Sequence, residues 1–77
     1  MIKAYILIKL VPGLESETLT QIRNIRGVTT VDLTFGQWDA IAIAEAKTLG
    51  DVMQTVISQI RALQGIQDTQ TLVAGVI

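Results

Sequence analysis

Val31-Asp32-Leu33-Thr34-Phe35-Gly36-Gln37-Trp38-Asp39-Ala40-Ile41-Ala42-Ile43-Ala44 decides how this chain folds. Before Gly36, the apolar Val31, Leu33 and Phe35 alternate with Asp32 and Thr34; after Asp39, Ile41 and Ile43 alternate with Ala40, Ala42 and Ala44. A period of two marks a strand, so two strands flank a hairpin tip, Gly36-Gln37-Trp38-Asp39. Gly36 can open the connection with a positive φ at no steric cost, and an Asp in a tip either bonds its own backbone or stays free to meet a ligand. The tip also holds the only Trp of the chain. Two roles stand open at this point: Trp38 caps the core edge while Asp39 fixes the turn, or the pair lines a binding site.

Moving outward toward the N-terminus, Ile2 to Val11 reads as a strand with Ile2, Ala4, Ile6, Ile8 and Leu10 on one face. Tyr5, Leu7 and Val11 lie on the other, where only Lys3 and Lys9 interrupt the apolar character. A sheet with water on one side alternates cleanly, so this strand predicts that its second face is covered too. Pro12-Gly13 stops it. From Ser16 the spacing becomes helical, with Leu19, Ile22 and Ile25 recurring every third residue, Glu15 and Glu17 at the start and Arg23 and Arg26 near the end. Acids at the positive end of a helix and bases at the negative end complement its dipole. Gly27 then stops the helix, and Val28 to Phe35 forms the second strand.

On the other side of the hairpin, the third strand runs from Ala40 to about Ala44. Thr48-Leu49-Gly50-Asp51 places a Thr and an acid at capping-box spacing for a second helix. Leu49, Val52, Met53, Val56, Ile57, Ile60 and Leu63 make its apolar stripe, with Met53 expected as core filler. Gly65 ends that helix, and Ile66 to Ile77 is the fourth strand. The segment from Gln21 to Val28 is echoed from Gln59 to Ile66: a helix ends, Gly turns the corner and an aliphatic residue opens a strand. The order strand-helix-strand-strand-helix-strand with such an echo predicts a ferredoxin-like α+β sandwich, a four-stranded antiparallel sheet with both helices on one face.

Composition bounds the function. A chain of 77 residues is one domain, spanning residues 1–77. With neither Cys nor His, thiolate chemistry, Cys/His zinc sites and imidazole catalysis are excluded. Six basic residues spread along a chain of net charge −1 give no footprint for a phosphate backbone, so no direct nucleic-acid binding is expected. No apolar run approaches the roughly 20 residues that span a bilayer, and no basic n-region precedes a cleavable apolar segment, so the chain reads as soluble and cytoplasmic with no membrane partner. At 49% hydrophobic and 17% charged, it is apolar for so small a domain, which predicts that surface is hidden in an assembly.

Pro12-Gly13 after the first strand, the Gly-x-aromatic-Asp tip at Gly36-Gln37-Trp38-Asp39, and Gly65-Ile66-Gln67-Asp68-Thr69-Gln70-Thr71 leading into the last strand resemble the effector-binding (RAM) domain of the Lrp/AsnC family. The resemblance covers nearly the whole chain, with Ile66 standing where the family commonly has Val. Because Met1 leads directly into the first strand, without the usual helix-turn-helix, the chain resembles the stand-alone form. The resemblance implies a small-molecule sensor rather than an enzyme, free of cofactors. It also implies dimers made by facing sheets, assembly of dimers into an octamer or decamer, and an amino-acid effector in the clefts between dimers. Gly36, Gln37, Trp38 and Asp39 would then line the cleft, with Asp39 accepting the ammonium, and Thr69 and Thr71 would contribute hydroxyls. A longer helix-turn-helix relative is the implied regulatory partner, through co-assembly.

Two other classes remain open. One is an oligomeric interaction module without ligand, in which Trp38 anchors a subunit contact. The other is a small ferredoxin-like enzyme using Asp32, Asp39 or Glu45 as a base, although no nucleophile and base pair is visible.

Overall fold

Strand β1 (Ile2–Leu10) is the element on which the others are laid: β3 (Ala40–Ala46) pairs with one of its edges and β4 (Ile66–Ala74) with the other. With β2 (Val28–Leu33) outside β3, the sheet order is β2-β3-β1-β4, antiparallel throughout. The structure, a computed structural model, describes residues 1–75 and every side chain among them except that of Thr55. The expected last residues of the fourth strand, Val76 and Ile77, lie outside the described residues.

Helix α1 spans Glu15–Arg23. It starts where the Glu15 carboxylate accepts the Gly13 N–H at 2.8 Å, and it ends before Arg26, which lies in the following turn. The second helix, α2, runs through Leu49–Asp51, Val52–Ile57 and Ser58–Arg61. The Thr48 hydroxyl caps it by accepting the Asp51 N–H at 3.1 Å. Its middle segment is π-wound, with the Ser58 N–H reaching back to the Met53 carbonyl, to which the Ser58 hydroxyl also donates at 3.2 Å. One extra residue per turn rotates the stripe expected from a regular helix. Val52, Val56, Ile57 and Ile60 are buried, whereas Leu49 is exposed and Met53, expected in the core, is 45% exposed.

The core lies between the helices and one face of the sheet. Ala4, Ile6 and Ile8 of β1 and Ala40, Ala42 and Ala44 of β3 are sealed completely, packed in one cluster with Leu19, Ile22 and Ile25 and the buried side of α2. Each buried Ile contributes about 1.5–3 kcal/mol relative to exposure. In β3 the small side chains face the helices and Ile41 and Ile43 face away, because alanines let the two layers approach closely while the bulk is carried by β1. The second strand is shorter than its alternation suggests: it stops at Leu33, which is largely exposed, and Phe35 stands fully in solvent.

The internal echo is structural. The Ile25 N–H donates to the Ile22 carbonyl and the Leu63 N–H to that of Ile60, both at 3.1 Å; Val28 then bonds Ile25 at 3.2 Å as Ile66 bonds Leu63 at 3.3 Å. The Gly27 carbonyl accepts the Glu45 N–H at 2.9 Å and the Gly65 carbonyl that of Val11 at 2.8 Å. Each half also carries a bulge at the entry to its second strand, where the register shifts between Val28 and Thr30 in one half and opposite Lys9 and Leu10 in the other. This is the expected ferredoxin-like βαββαβ sandwich with pseudo-twofold symmetry.

Candidate functional site

The hairpin between β2 and β3 is closed by Thr34. Its N–H donates to the Asp39 carbonyl at 2.9 Å and its hydroxyl to the Trp38 carbonyl at 2.7 Å. Between these clasps Gly36 has φ +137°, a conformation that L side chains rarely adopt, with open space where a Cβ would stand. Glycine is therefore required here by the backbone and not by crowding. Gly36 and Gln37 are exposed, while Trp38 and Asp39 are half-buried.

Asp39 ties the tip to β1. Its N–H donates to the Ile8 carbonyl at 2.9 Å, and its Oδ2 accepts the Leu10 N–H at 2.8 Å. The last residues of β1 extend past the start of β3, and the carboxylate stands where a strand partner would otherwise accept the Leu10 N–H. Sequence spacing offered no sign of this bond, which joins residues far apart in the chain. Asp39 thus fixes the turn and still keeps Oδ1, which takes no hydrogen bond among the described residues. The backbone N–H groups of Gly36, Gln37 and Trp38 likewise donate to no protein acceptor among the described residues. The same four-residue tip therefore carries one carboxylate oxygen and a short run of backbone donors without protein partners among the described residues.

Thr69 and Thr71 of β4 lie opposite Ile8 and Ile6 in register, half-buried on the helix-facing side of the sheet. Since Asp39 bonds Ile8 from the other edge of β1, the tip and Thr69 are separated by two strand spacings, roughly 10 Å. Thr71 is further from the tip. Thr69 lines a cleft of about 180 Å³ with Arg61, Ile66, Gln67 and Asp68, which the tip does not reach. Within one protomer the tip residues are brought together and the two threonines are not joined to them.

The sheet face away from the helices was only partly legible in sequence. Cross-strand register places Tyr5 beside Ile43 and Leu72, and Leu7 beside Ile41. Leu72 is 49% exposed, and Tyr5, Leu7, Ile41 and Ile43 are partly so. Charges sit at the two ends of this apolar field: Lys3 opposite Glu45, and Lys9 opposite Asp68. The Lys3 ammonium also lies 5.4 Å from the Tyr5 ring centroid, within cation–π range. Among the described residues no helix is long and apolar enough to cross a membrane.

The family model of the Lrp/AsnC ligand binding domain matches residues 3–74. An uncharacterised helix-turn-helix-type transcriptional regulator of Pyrococcus horikoshii is 36% identical over 74 residues, covering 92% of this chain and 49% of the regulator. The chain thus spans about half the length of the curated relatives it matches. Among solved structures, a hypothetical protein of the same organism superposes with TM-score 0.90 at 30% identity, covering all of this chain and 93% of that one. A Neisseria meningitidis transcriptional regulator solved in complex with L-Met shares the fold at TM-score 0.85 and 16% identity, over 95% of this chain and 49% of its own. With the Gly-x-aromatic-Asp tip, the βαββαβ order and a match running through all four strands, this chain belongs to the Lrp/AsnC family, as its ligand-binding domain.

Proposed function

We propose that the domain is an amino-acid sensor, not an enzyme, whose effector site forms when the hairpin tip of one protomer meets another copy, and which modulates transcription by co-assembly with DNA-binding relatives. The observation that carries the proposal is the presence on one tip of a carboxylate oxygen of Asp39 and N–H groups of Gly36, Gln37 and Trp38 that are all without protein partners among the described residues. A zwitterion asks for that complement: an anionic acceptor for its ammonium and donors for its carboxylate. The L-Met complex of the meningococcal regulator supports amino acids as the ligand class. Asp39 accepts the ammonium through the oxygen that Leu10 leaves free, and Trp38 walls the site. Thr69 and Thr71 contribute from a different protomer, since in their own they stand apart from the tip.

Assembly is part of the same proposal. The field of Tyr5, Leu7, Ile41, Ile43 and Leu72 offers a second apolar face to a sheet whose helices cover only the first. A second copy turned by a twofold axis covers it, and Lys3, Glu45, Lys9 and Asp68 at its ends set the register of the pair. Dimers then build into an octamer or decamer.

The testing experiment is a thermal-shift screen of the common amino acids on the purified chain. Binding to the native state stabilises it by about 2.7 kcal/mol at roughly a hundred times Kd, so a true effector raises the melting temperature in a concentration-dependent way. If none of them shifts the transition, the domain is an interaction module without an amino-acid effector.

A further inference from the structure

Thr18, on the first half of α1, is the buried polar side chain of the described core: 1% exposed, with no hydrogen bond through its hydroxyl among the described residues. Burying a hydroxyl without a partner is unfavourable, so packing has to explain it or a ligand does. The internal symmetry answers the first alternative. A Cβ placed on Gly65 would overlap the Thr18 hydroxyl, and in the other half a Cβ placed on Gly27 would come within 2.8 Å of Cγ2 of Val56. Thr18 and Val56 thus occupy equivalent places, each pressed against the glycine that ends the opposite helix. The Val shows that the contact asks only for a β-branched side chain. At Gly65 the hydroxyl itself is the atom nearest the glycine, where Val56 presents a methyl to Gly27, so the contact does not require an oxygen.

No side-chain polar atom among the described residues is both sealed from solvent and unpaired. What little surface Thr18 keeps is therefore at its hydroxyl, at the floor of a cleft of about 230 Å³ between α1 and the end of α2. Leu14 and Leu63 wall this cleft, and Glu17, Gln21 and Gln64 stand around it. Its side chains supply a carboxylate, two amides and a hydroxyl, and no cation.

We propose that this cleft is a second ligand site, for a small molecule bearing an ammonium group and a hydroxyl: Glu17 takes the ammonium, Thr18 pairs with the hydroxyl, and Leu14 and Leu63 enclose the carbon skeleton. It is separate from the hairpin tip and does not depend on it.

The test is an amide NMR titration of the full chain with ethanolamine, with ethylene glycol as the uncharged control. The site predicts saturable shifts at Thr18, Gln64 and Gly65 with ethanolamine, and none that saturate with the glycol at the same concentrations. Glu17→Gln weakens binding roughly tenfold or more, and Thr18→Val, which copies Val56, roughly threefold to tenfold while the fold is kept. Asp39→Asn leaves the ethanolamine shifts unchanged, which separates this site from the tip. No saturable shift, meaning a hydrated cleft only, overturns the proposal. So do shifts that persist undiminished in Glu17→Gln and Thr18→Val, or shifts confined to residues 36–39.

Discussion

The carboxylate of Asp39 accepts the backbone N–H of Leu10 at 2.8 Å, joining the hairpin tip to the far end of the central strand. The bond is part-buried, so removing the acceptor strands a donor that water reaches only in part. Asp39→Ala is expected to destabilise the domain by about 1–3 kcal/mol, whereas Asp39→Asn keeps a carbonyl oxygen in place and costs about 1 kcal/mol or less. Urea unfolding checks this: the midpoint should fall in the order wild type, Asn, Ala with unchanged slope.

A charge at the centre of the open sheet face should separate the subunits without unfolding them. Leu7 lies between Ile41 and Gln70 on that face, away from the core. Leu7→Lys buries two ammonium groups at a twofold interface without partners. Light scattering should report an oligomer for the wild type and a smaller species for the variant, with unchanged far-UV circular dichroism. A monomeric wild type at micromolar concentration contradicts the proposed assembly.

Gly65 is confined by contact. Gly65→Ala drives a methyl into the Thr18 side chain and is expected to cost about 1–3 kcal/mol. Adding Thr18→Ala removes the atoms in the way and should recover part of that loss, a coupling that thermal denaturation of the two single variants and the double variant measures directly.

Thr48 is a simpler case. Its hydroxyl holds the Asp51 N–H at the start of α2, so Thr48→Ala should lower stability by about 1 kcal/mol. Thr48→Asn should restore most of it. Chemical denaturation distinguishes the two.

The strands around β1 were legible because alternation survives in sequence whenever a face is buried, and Ala4, Ile6, Ile8 and Leu10 form such a face. The choice of face in β3 was not, since Ala40, Ala42 and Ala44 face the core only because the helices come close there. The same residues support α and π winding, so the π segment and the outward displacement of Leu49 and Met53 had no local signal. The tip was found as a motif, but whether Asp39 is a turn residue or a ligand depends on Leu10, which no spacing rule connects to it. The contact of Thr18 with Gly65 was within reach of the sequence: extending the internal echo back along the helices sets Thr18 against Val56.

The most direct test of the effector site is calorimetric titration of wild type and Asp39→Asn with the amino acid that most raises the melting temperature, beside light scattering on the same samples. The Leu10 bond survives in the variant through the amide oxygen, so its assembly should match the wild type. The ammonium loses its charged partner, and affinity should fall by about 1.5–3 kcal/mol, roughly tenfold to a hundredfold. An assembled Asp39→Asn variant that binds the amino acid as tightly as the wild type would contradict the account, leaving Asp39 as the clasp of the hairpin alone.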